Sequence, residues 1–394
     1  MRSSPSNALQ VECLEPPLSL RRQFLSDRFF FRAAQLSTHP LLVHLNNLIN
    51  IIPTSDYWTH KDLPCLVKSF QKLLDSTPMW TSPGNPVFLL DYDSLVFRPN
   101  IIFSLGINKN CPNANNIFLK LLDEKWHDYL PVYTDASKLS RNGPVGSAVW
   151  IPRYKLILSF KIPSPSSVFT GEAVAIYEAV SFILSHKIPK ALILSDSLSC
   201  LQDLHKFPLR SKDNLTITLR TRQSLHQCSL LGLEVTIAWI PSHSAIDGNE
   251  QADACAKQAI DIGCPSSHPT CYMQDLRNTA KTDLNRLWNE EWKITSQSSG
   301  SRYHSIQPNI LVRPWFFRFH KFSKVITSSI IRLRLGHNSC PAWLAKIHIL
   351  DHSICECGLE EGTIDHIFFN CPNIQLFMPV YTIFFLTIFK DRSI

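Results

Sequence analysis

Between residues 130 and 260 the chain alternates short apolar runs of strand length with longer runs of helical period, and that order leaves few folds open. "LPVYTDASK" (130–138), "GSAVWIP" (146–152) and "KLILSF" (155–160) are β-type runs separated by turn residues, as in an antiparallel meander. "TGEAVAIYEAVSFILSH" (170–186) has helical phase, with Thr170 as its expected N-cap. "ALILSDS" (191–197) and "LEVTIAWIP" (233–241) are continuous apolar strands of the kind buried on both faces, with a helix expected over 214–231 between them and another after the second. The order predicts an α/β fold, a mixed five-stranded sheet with helices on both faces.

Ligands of open α/β sheets sit at the carboxyl ends of the strands, so acids there carry extra weight. Asp135 follows "VYT" and Asp196 follows "ALILS"; on parallel neighbours the two would lie side by side. Glu172 shares a helical stripe with Ile176, Ala179 and Ile183, and Asp253 is in phase with Ala256 and Ile260, so both are expected on inward faces. Four carboxylates drawn together are costly to bury, and a divalent cation relieves the cost. Hard oxygen ligands suit Mg²⁺, and two such ions can support phosphodiester hydrolysis. Taken singly the same residues have plainer readings: Asp135 and Asp196 as turn formers, Glu172 as a helix-start charge, Asp247 and Asn249 as caps, Glu250 as a surface residue and His243 as a solvated loop histidine.

As an ordered set, "YTDAS", "TGEAVAIYEA", "ILSDS" and "SHSAIDGNEQADACAK" resemble type 1 ribonuclease H over about residues 130–260. The resemblance implies that Asp135, Glu172, Asp196 and Asp253 ligate two Mg²⁺ ions, with Mn²⁺ as a substitute. It implies that His243 assists proton transfer and product release, and that the substrate is the RNA strand of an RNA–DNA hybrid.

Near the other end, "CECGLEEGTIDHIFFNC" sets out Cys355, Cys357, His366 and Cys371 as three soft sulfurs and an imidazole, a ligand set suited to tetrahedral Zn²⁺; the plain alternative is a group of buried thiols. Cys264, Cys271 and Cys340 show no ligand spacing and are expected to be buried thiols. "RLRLGHNSCPAWLAKIHI" followed by this cluster resembles the C-terminal zinc-binding module of jockey-type non-LTR retrotransposon polyproteins, and "SNALQVECLEPPLSLRRQFLSDRFFFRAAQL" resembles the segment after their reverse-transcriptase palm. No adjacent Asp-Asp pair occurs, so polymerase carboxylates are missing and the chain reads as a C-terminal portion of such a polyprotein.

The expected organisation is a helical remnant at 1–75, a connector at 76–127, the ribonuclease H domain at 128–264, a basic-aromatic linker at 265–330, the zinc module at 331–375 and an apolar tail at 376–394. The stretch 302–334 interleaves Arg and Lys with Trp and Phe, which suits phosphates and stacked bases, although aromatics in a row are more often core.

Composition sets only loose bounds. With 44% hydrophobic and 18% charged residues the chain is globular, and a net charge of +7 suits a polyanionic partner without requiring one. Twelve cysteines over 394 residues, with no signal-like start, favour a reduced intracellular setting; nucleus and cytoplasm are not distinguished. The tail run "LFMPVYTIFFLTIF" (376–389) is shorter than the roughly 17–25 residues of a spanning helix, so no membrane is expected. The expected partners are an RNA–DNA hybrid and, through the C-terminal module, single-stranded RNA or DNA. The rival expectation is a catalytically silent nucleic-acid-binding relic; oligomeric state is not legible.

Overall fold

Strand β2 (Leu130–Ser137) organises the sheet, because its two neighbours pair with it in opposite senses. In the computed structural model, β3 (Val145–Ile151) and β4 (Leu156–Ile162) fold back from it as the expected antiparallel meander, with Asp135 opposite Ala148. On its other side β5 (Lys190–Ser195) runs parallel, Val132 opposite Ile193, and β6 (Glu234–Trp239) runs parallel to β5. These connections are long and helical, as parallel pairing demands.

Among the described residues the sheet has seven strands rather than five. Asn100–Ile102 (β1) adds in parallel beside β6, and Cys264–Pro265 (β7) beside β4, giving the order β1-β6-β5-β2-β3-β4-β7. Three- and two-residue strands are too short for periodicity to reveal, and the proline of β7 is tolerated because it stands at an edge. The 76–127 stretch therefore holds a strand of the sheet, and it also supplies the Ala114–Trp126 helix, whose Phe118 packs on Tyr133.

Helices cover both faces. On one, Val132, Val149, Ile193 and Ile237 meet the helices Val168–Ser185, Leu198–His205 and Thr216–Leu230; on the other, Tyr133, Leu192, Leu194 and Ala238 meet Phe118 and Ala252 of the Asp247–Ile262 helix. By length and hydropathy alone Val168–Ser185 could cross a membrane, but ten of its residues are buried, as expected of a central core helix. Its N-cap is Ser167, whose Oγ accepts from the Thr170 N–H, so the expected cap at Thr170 lies one turn too late.

The structure describes residues 5–74, 86–109, 111, 113–140, 143–210, 215–265, 272–319, 323–336 and 340–375. The expected apolar tail and Cys271 lie outside them. The chain divides into two units, Ser26–Ala280, which holds the sheet, and Met1–Leu25 with Lys281–Ile394. In the second unit, Ala8 and Val11 of the Ser6–Cys13 helix pack with Trp288, Trp292, Tyr303 and Leu335. Within it the Glu12 carboxylate is buried and accepts from Tyr303 Oη, from Trp315 Nε1 at 2.6 Å and from Arg334 Nε at 3.2 Å. Trp315 and Arg334 of the basic-aromatic stretch are thus engaged in packing, while Arg313 lies over the exposed ring of Phe317. Among the described cysteines, Cys264 is exposed and Cys340 partly so, not buried as expected.

Candidate active site and metal centres

Parallel register brings the first two acids together. Thr134 of β2 lies opposite Ser195 of β5, so Asp135 and Asp196, each one residue further on, stand at the same level of adjacent strands. Glu172 reaches them from the second turn of the Val168–Ser185 helix. Gly171 makes that approach possible, since a Cβ there would come within 2.5 Å of Val145 and 2.8 Å of Ala136. One carboxylate oxygen each of Asp135, Glu172 and Asp196 lies within 4.8 Å of the others.

Few protein donors meet this cluster. Asp135 Oδ1 accepts from the Ala136 N–H at 2.7 Å, and Asn249 Nδ2 stands 3.5 Å from Asp196 Oδ2. Glu172 is 6% exposed, and its Oε2 has no hydrogen-bond partner. Burial, with the neighbouring Asp196, pushes the Asp135 carboxyl up to about 7. Burial and the charges of Asp135 and Asp196 push Glu172 well above the usual carboxylate range, and burial also raises Asp196. A buried, bare carboxyl among like charges is the environment a hard divalent cation fits.

The other two expected residues form a second group. His243, Glu250 and Asp253 bring ligand atoms within 4.8 Å of one another, separate from the three-acid cluster. Asp253 is inward-facing in phase yet 18% exposed, and its Oδ2 accepts from Lys257 Nζ at 2.5 Å. Its charge still bears on Asp135 and Asp196, raising both. His243 is exposed on the loop after β6, at a left-handed φ of 50°, and Ala245 repeats that conformation at 54°. Such backbone is strained for side chains with a Cβ and persists where surroundings impose it. Here Ser244 Oγ donates to Lys109 O at 3.1 Å, which ties the loop down.

Three residues of this neighbourhood escape a residue-by-residue reading. Asn249 looks like a cap, yet it is 3% exposed and faces Asp196. Glu250 looks like a surface charge, and Lys257 draws no attention alone. The signal was the helical period: 249, 253 and 257 are successive four-residue steps, and 250 lies one turn from 253.

Residues 127–261 match the RNase H family. This segment is an RNase H domain. It covers about a third of the chain and contains both carboxylate groups and His243. No curated protein matches the chain. The RNase H domain's sheet order, with its antiparallel β2-β3-β4 and parallel β5 and β6, is the frame that sets Asp135 and Asp196 abreast.

The Cys/His cluster lies beyond the RNase H domain. Cys355, Cys357, His366 and Cys371 offer ligand atoms all within 4.8 Å of one another, with Cys357 Sγ 3.1 Å from His366 Nε2 and Cys355 Sγ 3.8 Å from Cys371 Sγ. A tight turn, with Gly358 at φ 74° and its N–H on Cys355 O, brings the two close cysteines inward. His366 and Cys371 are five residues apart, which an α-helix would set about 140° apart around its axis. The His366–Asn370 segment is a π-helical turn instead, closed by the Cys371 N–H on His366 O, and the wider turn returns both ligands to one side. The Leu359 N–H and His366 hold the Cys357 thiol down to about 7. Glu360, not foreseen from spacing, sets Oε2 3.1 Å from His366 Nδ1 and so leaves Nε2 to face the thiols. Three thiols and one oriented imidazole fit Zn²⁺.

Proposed function

We propose that the RNase H domain is a type 1 ribonuclease H, hydrolysing the RNA strand of RNA–DNA hybrids. The observation that carries this reading is the bare, buried Glu172 carboxyl beside Asp135 and Asp196 inside an RNase H domain. Asp135, Glu172, Asp196 and Asp253 would hold two Mg²⁺ ions, or Mn²⁺ in their place. Bound there, the ions supply activation of the attacking water and stabilisation of the leaving oxygen. The chain's own residues do the rest. Asp135 and Asp196 are fixed by strand register, and Asn249 orients the Asp196 carboxylate. His243, exposed on its tied loop, carries the proton transfer to and from the phosphodiester. Recognition of the hybrid rests on phosphate and 2′-hydroxyl contacts rather than base sequence.

The Cys/His cluster is in this reading a zinc site with Cys355, Cys357, His366 and Cys371 as ligands, in a module that binds single-stranded RNA or DNA. The order of acid site and Cys/His cluster resembles jockey-type retrotransposon polyproteins, which suggests removal of template RNA as the setting. The test is cleavage of an end-labelled RNA–DNA hybrid by the purified chain in Mg²⁺, beside EDTA and Asp135→Asn. Metal-dependent RNA-strand cleavage that disappears in the variant is expected. A folded protein that binds the hybrid and leaves it intact would replace this reading with a non-catalytic binding role.

A further inference from the structure

The first turn of the Glu172 helix is held by a residue outside the RNase H match. Asp275 lies on the Met273–Ser298 helix, fourteen positions beyond residue 261, and is 2% exposed. Its Oδ1 accepts from the Ser167 N–H at 3.1 Å and its Oδ2 from Thr170 Oγ1 at 2.7 Å. Ser167 and Thr170 are also joined to each other, Oγ to Oγ1 at 3.2 Å and Oγ to the Thr170 N–H at 3.2 Å. The cationic group facing Asp275 is Lys138, at the end of the Asp135 strand, whose Nζ donates to Ser166 O at 2.6 Å. Tyr272, one turn before Asp275, is buried in the main core and accepts the Asp275 N–H on its carbonyl, so the carboxylate stands on a fixed base.

Glu172 is two residues past Thr170. On the far side of the same turn, Ser147 Oγ donates to Gly171 O at 2.9 Å. The backbone leading into Glu172 is therefore pinned from β3 on one side and from Asp275 on the other, while the Glu172 carboxyl itself has an oxygen with no partner. With one oxygen unmatched, the Glu172 carboxyl depends on its backbone for much of its aim. A carboxylate at this helix terminus also meets favourable partial charge.

We propose that Asp275 is a positioning residue for Glu172, so that the working unit of the RNase H domain includes the start of the helix that follows it. This inference rests on the reading of Glu172 as a metal ligand. Without the Asp275 carboxylate, Ser167 and Thr170 lose their common acceptor, the first turn loosens, and the Glu172 carboxyl spreads over more orientations.

The test compares the full chain with Asp275→Asn, Asp275→Glu and, as a control on an exposed position of the same helix, Asn278→Ala. Three quantities are read: Mn²⁺ binding by electron paramagnetic resonance without nucleic acid, the Mg²⁺ concentration giving half-maximal hybrid cleavage, and amide hydrogen exchange over residues 167–172. Asp275→Asn should weaken Mn²⁺ binding and raise the Mg²⁺ requirement about tenfold, the scale seen when an outer partner of a metal site is removed. The KM for the hybrid should stay unchanged and exchange at Thr170–Glu172 should quicken; Asp275→Glu should recover part of the effect, and Asn278→Ala should do nothing. A variant that only melts earlier, with metal requirement and exchange unaltered, overturns the proposal and leaves Asp275 a helix cap. Quickened exchange in a protein whose wild type neither binds Mn²⁺ nor cleaves would instead overturn the metal-site reading of Glu172.

Discussion

Glu12 and Glu172 are both buried carboxylates, and their surroundings are opposite. Glu12 receives donors from Tyr303, Trp315 and Arg334, one of them a cation, and the pair with Arg334 is almost wholly sequestered from water. Glu172 has like charges for neighbours and an oxygen that meets no donor at all. Burying a carboxylate is costly in either place. In the first the protein's own donors offset the cost and the result is a structural joint. In the second the described residues leave one oxygen unmatched among like charges, an arrangement that a divalent cation would relieve. The difference separates a carboxylate satisfied within the fold from one that is not.

The largest expected effect is on catalysis. Asp135→Asn removes a charge from the cluster and should lower Mg²⁺-dependent hybrid cleavage by roughly a thousandfold, equivalent to about 4 kcal/mol of lost charge stabilisation, read by single-turnover kinetics. If the acid cluster were merely structural, as at Glu12, activity would persist.

The same chemical change should have opposite consequences for stability at the two glutamates. Glu12→Ala leaves Arg334 buried without its carboxylate and should destabilise the Met1–Leu25 and Lys281–Ile394 unit by about 3–5 kcal/mol, read by urea unfolding with tryptophan fluorescence. Glu172→Gln removes a carboxyl that burial and the charges of Asp135 and Asp196 push well above the usual carboxylate range, so it should raise metal-free stability, and the gain should grow as pH rises above that range. A destabilised Glu172→Gln at pH 8 would erase the contrast.

The contrast also has a pH signature. The Asp135 carboxyl rises from an ordinary 3.8 to about 7 on folding, so the native state binds its proton more tightly than the unfolded chain does. Its contribution is fully present below about pH 4 and is lost as pH climbs to about 7, by at most about 4 kcal/mol for this one group. Metal-free protein should therefore lose stability across that window, and millimolar Mg²⁺ should remove most of the slope. A flat metal-free profile in differential scanning calorimetry would count against a shared site.

The smallest effect is expected at the Cys/His cluster, where Glu360→Gln should weaken zinc binding about tenfold without releasing the ligands, measured by competition with a chromophoric chelator. Unchanged affinity would make the Glu360–His366 contact incidental.

Much of the acid site was legible because strand register is legible. Two aspartates after apolar runs land side by side once the strands are parallel neighbours, and the stripe of Ile176, Ala179 and Ile183 carries Glu172 inward with it. Phase was a poorer guide at Asp253, since an i,i+4 lysine draws it toward the surface and into a group with His243 and Glu250. Asn249 was hidden by its own suitability as a cap. The edge strands β1 and β7 are too short to have a period. Spacing exposed the Cys355, Cys357, His366 and Cys371 group but not Glu360, whose contact with His366 depends on a tight turn. The partners of Glu12 could not be read at all, because nothing local marks a residue whose contacts lie hundreds of positions away.

That distance has a consequence for how the chain is made. Glu12 and Arg334 are separated by 322 positions. At roughly 5–20 residues per second a ribosome takes about 15–65 s to travel from one to the other. For most of that interval the Ser6–Cys13 segment has left the ribosome with its apolar face and its acid unmatched, while the strands of the sheet are being synthesised and can close on one another. A segment made before the sheet thus finds its partners only after the sheet is complete, and in the meantime its apolar face is exposed to aggregation or to a chaperone.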